Sequence, residues 1–239
     1  MKLVFIDETE NSTYVPGFYA VCAVAVDATK YNRMRQAVDK ALDDCGWCRD
    51  YEFKGSVIFS STKGDANVPT EQRVYAAHRM VAATVSKAKA RVNCVIAWTD
   101  QGGDANQHLE LVARAVSRCL ASAGKAAGKD LVAVFADKKD IVNQRDLSDA
   151  IKKVVKSRGY TLVEHVVIVS SSCDWPGVLL ADVLAYLSMW TYAGHKLKEA
   201  QPTLFEGSVR PSENVLKKMA IVQKVLESGA AIKFVPKLT

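Results

Sequence analysis

Asp182 stands in the middle of the most apolar helix-like stretch of the chain, Pro176-Gly-Val-Leu-Leu-Ala-Asp182-Val-Leu-Ala-Tyr-Leu-Ser-Met-Trp190. A helix that is apolar nearly all round is buried by its neighbours, and a lone ionised carboxylate within it costs roughly several kcal/mol unless a cation or a set of donors meets it. Two more acids close apolar strand-like runs, Asp7 after Leu3-Val-Phe-Ile6 and Asp137 after Leu131-Val-Ala-Val-Phe-Ala136. Carboxylates that converge from separate elements of one core usually hold a divalent metal, and hard oxygen ligands suit Mg2+ or Mn2+. The plainer readings are a turn post for Asp7 and a loop start for Asp137, and a tyrosine or backbone partner for Asp182.

The elements that must position these acids follow from hydrophobic periodicity. Residues 2–7 and 17–26 read as the strands of an antiparallel hairpin, both central, joined by the turn cluster Glu8-Thr-Glu-Asn-Ser12. A helix is expected over 28–41, with Tyr31, Met34, Val38 and Leu42 at helical spacing. Residues 51–59 are ambiguous between strand and turn, and a polar loop follows over 60–67. Pro69-Thr70 opens a helix that carries Val74, Ala77, Val81 and Val85 on one face. Beyond it, strands at 91–98, 130–137 and 162–169 alternate with helices at 106–122 and 147–155, then comes the Asp182 helix. A loop over 202–211, a helix over 215–226 and a short strand over 231–235 finish the chain. Strands separated by helices after an opening hairpin predict an α/β protein with a mixed sheet.

With 239 residues, the chain has room for one domain over 1–193 and a C-terminal extension over 194–239 that packs on it. Its 49% hydrophobic and 24% charged composition is that of a globular protein. No run is expected to reach the roughly 20 apolar residues that cross a bilayer. The acid at position 7 breaks the opening apolar run too early for a signal peptide, so the expectation is a soluble, cytoplasmic protein without a membrane partner. The six cysteines read as reduced thiols; Cys45-Gly-Trp-Cys48 follows a helix-like segment, which is wrong for a redox pair. The net charge of +6 favours an anionic partner. Its basic runs, Lys87-Ala-Lys89-Ala-Arg91 and Lys152-Lys153-Val-Val-Lys156-Ser-Arg158, suit either a phosphate backbone or a solvated helix surface.

Four motifs in order, Phe5-Ile-Asp7-Glu8, Tyr51-Glu52-Phe-Lys54-Gly-Ser56, Val134-Phe-Ala-Asp137 and Pro176-Gly-Val-Leu-Leu-Ala181-Asp182-Val-Leu-Ala185, resemble the domain of unknown function 3800 family over residues 3–190. The resemblance implies an RNase H-like fold: a β-meander with one acid on the first strand, another on a middle strand, and a site completed from a later helix. It adds Glu52 as a fourth acid beside Asp7, Asp137 and Asp182, with Glu8 as a spare. Lys54, two residues from Glu52, is placed to hold a scissile phosphate or a carboxylate.

The function expected is a divalent-metal-dependent nuclease acting on RNA or DNA, with Asp7, Glu52, Asp137 and Asp182 as metal ligands and Lys54 as the fifth site residue. Family members commonly carry Gln three residues before the helix aspartate, where this chain has Leu179. That departure keeps a second expectation open: an RNase H-like module that binds nucleic acid or protein without turnover. The four histidines read as packed or surface residues, with His195 nearest to the site. Trp98, Trp175 and Trp190 read as core aromatics or as stacking platforms for bases.

Overall fold

The computed structural model describes residues 1–12, 15–60, 67–84, 92–121, 130–138, 141–169, 174–200, 213–228 and 232–238. Residues 61–66 of the loop read over 60–67, Val85, the basic run at Lys87, Lys89 and Arg91, Cys173, the loop over 202–211 and the side chain of His195 lie outside them.

Two long strands, β1 (Lys2–Ser12) and β2 (Val15–Asp27), form the opening hairpin. They are followed by α1 (Tyr31–Asp44), α2 (Thr70–Thr84), β3 (Asn93–Thr99), α3 (Ala105–Ala121), β4 (Asp130–Asp137) and α4 (Gln144–Ser157). The short strands β5 (Tyr160–Leu162) and β6 (Val167–Val169), the helices α5 (Pro176–Ala200) and α6 (Glu213–Ser228), and β7 (Ile232–Phe234) complete the order. The sheet runs β5-β4-β1-β2-β3-β7, with β6 also paired to β4. Among the described strands β2 alone runs against the rest. A meander β1-β2-β3 with β4 returning parallel to β1 gives the expected mixed α/β sheet flanked by helices.

Both faces of the sheet are covered, which is why β1 and β2 read as near-continuous apolar runs. Phe5, Val24 and Ile96 face a core built with α1, α2 and α5. Val4, Ile6, Val95 and Val134 face a second core with α3 and α4. At the chain's end, α6 packs on α2 and α5, and β7 adds to the edge at β3.

Three expectations need correction. Glu8-Thr-Glu-Asn-Ser12 is strand, not turn: Glu8 pairs with Val21, Thr9 with Ala20 and Glu10 with Tyr19. Backbone pairing with a long β2 outweighs the turn preference of those side chains, so Asp7 is a strand residue with neighbours on both sides. The single strand read over 162–169 is two short pieces, each of which pairs with β4. Finally, Pro176–Gly194 is, by length and composition, apolar enough to cross a membrane, although 72% of it is buried inside the protein. The interior of a layered fold and a bilayer select the same residues, and here sheet, α1, α2 and α6 supply the surroundings.

Residues 51–58 form no strand. One 3-10 turn, Gly55–Val57, follows Lys54, whose backbone is extended, in a segment that side chains pin in place. Trp47 Nε1 donates to the Tyr51 carbonyl at 2.8 Å, the Phe53 ring packs edge-on against Trp47 at 4.9 Å, and Arg73 Nη1 donates to the Val57 carbonyl at 2.7 Å.

Candidate active site

Parallel pairing of β1 with β4 brings the first two acids together. Phe5 lies opposite Phe135 and Ile6 opposite Ala136, so the next residue on each strand is an aspartate, with about 4.8 Å between neighbouring strands. Alternation puts Asp7 and Asp137 on the face that Phe5 and Phe135 share, whose rings stack at 5.3 Å. That face is the one α5 covers.

The start of α5 lies hard against it. Pro176 occupies the first helical position, where its missing N–H costs nothing, and the Trp175 carbonyl accepts from Val178 and Leu179 at 2.9 and 3.0 Å. A Cβ on Gly177 would stand 2.3 Å from the Phe5 ring; the glycine is what lets helix and strand approach this closely. From there Asp182 reaches the sheet acids. Its Oδ2 accepts a 2.8 Å hydrogen bond from the Gly55 amide, and a Cβ on Gly55 would stand 2.3 Å from the Tyr186 Cβ. Two glycines thus set the distance from α5 to its neighbours on either side of Asp182.

The result is a cleft of ≈ 230 Å³ lined by Asp7, Glu8, Thr9, Glu10, Lys54, Asp137 and Asp182. Asp7 is 5% exposed, and its Oδ1 accepts from the Glu8 amide at 2.7 Å. Burial first, then the charges of Asp182, Glu8 and Asp137, push its carboxyl well above the ordinary range. Asp182 is pushed up to about 7, again by burial first; the Gly55 amide and the Lys54 charge pull it down, while Glu52 and Asp137 push it up. Asp137 Oδ1 accepts from the Lys138 amide at 2.8 Å. Carboxylates gathered in one cleft, with Asp7 and Asp182 raised by burial and by neighbouring charge, form a site that a cation would stabilise.

Lys54 and Glu52 stand at its rim. Lys54 Nζ pairs with Glu52 Oε2 at 3.1 Å. Burial alone would lower the lysine, but the bond to Glu52 and the charges of Glu52, Asp137 and Asp182 outweigh it and hold the ammonium above its usual value. Four of the five expected residues, Asp7, Lys54, Asp137 and Asp182, therefore line one cleft. Glu52 reaches it through Lys54 and is not among the lining residues.

Sequence reasoning missed Gly55 as a donor, because a backbone amide leaves no mark in side-chain chemistry; the signal was its place directly after Lys54. Leu179 is 5% exposed and lies in the apolar core. His108 is a core residue on the opposite face, with Nδ1 2.6 Å from the Tyr19 hydroxyl. Trp190 is buried, and Trp175 packs on Phe135 at 5.4 Å. Cys45 and Cys48 are free thiols, and Cys45 Sγ donates to the Leu42 carbonyl at 3.1 Å.

Chemically the donor set suits a hard divalent ion, being carboxylate oxygens with a neighbouring ammonium. Among the described residues, however, no three His, Cys, Asp or Glu side chains stand at the spacing of a ready-made metal site. No protein-family model matches the chain, and no curated protein matches its sequence. Among solved structures the chain is similar to the ribonuclease H2 from Pyrococcus horikoshii OT3, at 13% identity and a TM-score of 0.41, with 96% of this chain and 99% of that one covered.

Proposed function

We propose that the protein is a divalent-metal-dependent phosphodiester hydrolase acting on RNA or DNA, and a member of the domain of unknown function 3800 family that its four motifs resemble. The observation that carries this reading is the sharing of one cleft by Asp7, Asp137 and Asp182, with Asp7 and Asp182 both pushed upward. In this reading Asp7, Asp137 and Asp182 hold Mg2+ or Mn2+, with Glu52 contributing from the rim. The ion, when bound, supplies Lewis acidity at a phosphoryl oxygen and a water of lowered pKa. Lys54 gives the scissile phosphate a point charge, and Glu52 keeps that ammonium over the cleft. Gly55 fixes the orientation of the Asp182 carboxylate through its amide.

The test is incubation of the purified protein with labelled RNA, DNA and hybrid substrates, with Mg2+ or Mn2+ and with chelator, beside Asp182→Asn. Cleavage is expected only with the metal and only in the unaltered protein. Cleavage that persists in chelator or in Asp182→Asn would end this assignment.

Two observations favour a second reading, a binding module on the same scaffold without turnover. The described acids are not at metal-holding spacing, and Leu179 puts a core side chain where the family commonly has a polar one. That reading gives salt-sensitive binding of nucleic acid without products and no thermal stabilisation by Mn2+.

A further inference from the structure

On the other side of the sheet from Asp182, α3 and α4 carry a second polar cleft, of ≈ 340 Å³, lined by Arg114, Ser117, Arg118, Arg158, Val235 and Pro236. We infer that this cleft is an anion site that takes a phosphoryl group, either in a polynucleotide backbone or in a small phosphorylated molecule.

Convergence of guanidinium groups is the first argument. Arg114 and Arg118 stand one turn apart on α3, a like-charged spacing that weakens an isolated helix. Arg158, just past the end of α4, is brought to the same place from 41 residues away in sequence, measured from Ser117. A helix C-terminus favours a cation, which accounts for Arg118 and Arg158 one at a time. It does not account for their meeting.

The second argument is how Arg158 is held. Its Nε and Nη2 both donate to Ser117 Oγ, at 2.9 and 2.7 Å. Among the described residues no carboxylate pairs with Arg158, so an uncharged hydroxyl fixes the plane of a full positive charge. Two acceptor sites of Ser117 are used this way, and its hydroxyl proton is left to donate. Arg114 Nη2 is balanced by Glu110 Oε1 at 3.1 Å. The cleft therefore offers a fixed planar fork, a hydroxyl donor and further guanidinium groups, the donor set that matches tetrahedral oxyanions. Its far wall is firm: the Val235 amide donates to Ile96 and the Leu238 amide to Trp98, at 2.9 and 3.0 Å. Lys152 and Lys156 lie one turn apart on the exposed surface of α4, and extend positive charge along the helix that ends at Arg158.

The test measures binding in chelator, so that any hydrolysis is silent, with three probes: labelled single-stranded 12-mers, a nucleoside 5′-monophosphate and inorganic phosphate. The proteins are the unaltered chain, Arg118→Gln/Arg158→Gln and Ser117→Ala, each checked for an unchanged melting curve. If the ligand is a backbone, the double variant binds oligonucleotide roughly tenfold or more weakly, and its salt slope falls by about two. Ser117→Ala, with charge intact, loses a few-fold in affinity at an unchanged slope. If the ligand is a small phosphorylated molecule, the monophosphate or phosphate saturates the unaltered protein, the double variant loses that binding, and oligonucleotide binding stays the same. Equal binding of every probe by unaltered protein and double variant, or no saturable binding of any probe, overturns the site. Hydrolysis is silent in chelator, and the altered residues line the cleft across the sheet from Asp182, which separates this result from the fate of the hydrolase reading.

Discussion

The Gly55 amide donates a 2.8 Å hydrogen bond to Oδ2 of Asp182, across 127 positions of sequence. The bond ties an irregular segment to the most buried helix of the fold. It also gives Asp182 a donor that keeps its carboxyl from rising further. Gly55→Ala is expected to break it, since the new Cβ would stand 2.3 Å from Tyr186 Cβ and 3.1 Å from the Asp182 carbonyl oxygen. Overpacking of this kind costs about 1–3 kcal/mol. Chemical denaturation checks the stability, and the pH dependence of stability should show Asp182 titrating higher than before.

The upward shifts of Asp7 and Asp182 set the sign of a pH effect. A carboxyl raised in the folded state makes its full contribution below its unfolded value, about 4, and loses it as pH rises through the folded value, about 7 for Asp182. The ion-free protein should therefore lose stability through this pair as pH climbs from about 4 to about 8. Asp182→Asn keeps an acceptor for Gly55 and removes the charge, so melting curves across that range should slope less steeply than those of the unaltered chain. Identical slopes would count against the shift.

Binding of a divalent ion to the cleft should release protons near neutral pH, because the ligand acids must ionise. Calorimetry with Mn2+ in two buffers of different ionisation enthalpy measures that release, and the apparent affinity should climb between about pH 6 and 8. The accompanying rise in melting temperature should vanish in Asp7→Asn. No rise in the unaltered protein is the result expected of the module without turnover.

Lys54→Gln separates charge from structure. The Lys54–Glu52 pair is partly exposed, with 47% and 28% of the side chains accessible, so its loss should move stability by less than about 1 kcal/mol. Because the ammonium pulls Asp182 down, its removal should shift the metal-affinity profile to higher pH. Under the hydrolase reading it should also slow cleavage at saturating metal.

Gly177→Ala tests the approach of helix to strand. Its Cβ would meet the Phe5 ring at 2.3 Å, and Phe5 is wedged between Tyr31 and Phe135 at 5.6 and 5.3 Å. Stability should fall by about 1–3 kcal/mol, and a variant as stable as the unaltered protein would show that α5 does not need this contact.

Much of this was legible because the relevant signals are local. Asp130–Asp137 reads as a strand from its apolar run and is one, and the helix at Pro69-Thr70 begins where the proline allows. The alternation of strands and helices gave the mixed sheet. What escaped depends on partners distant in sequence. The polar residues 8–12 are strand only because β2 is long enough to pair with them. The split at 163–166 depends on what β4 offers as a pairing edge. Residues 51–58 take their shape from Trp47, Arg73 and Asp182, none of which their own pattern reveals. Motif order pointed to Asp7, Lys54, Asp137 and Asp182; only the fold shows Glu52 standing behind Lys54 rather than lining the cleft.

Asp7 pairs with Cys22 of β2 and directly follows the last residue of the β1 ladder to β4, whereas Glu52, Lys54 and Gly55 belong to a stretch with no ladder, held through hydrogen bonds from Trp47 and Arg73 and to Asp182. The cleft thus has one jaw set by backbone pairing and one set by side-chain contacts. Under the hydrolase reading, selectivity between ions of different radius should accordingly respond to changes in the stretch around Lys54, and resist changes made in β1.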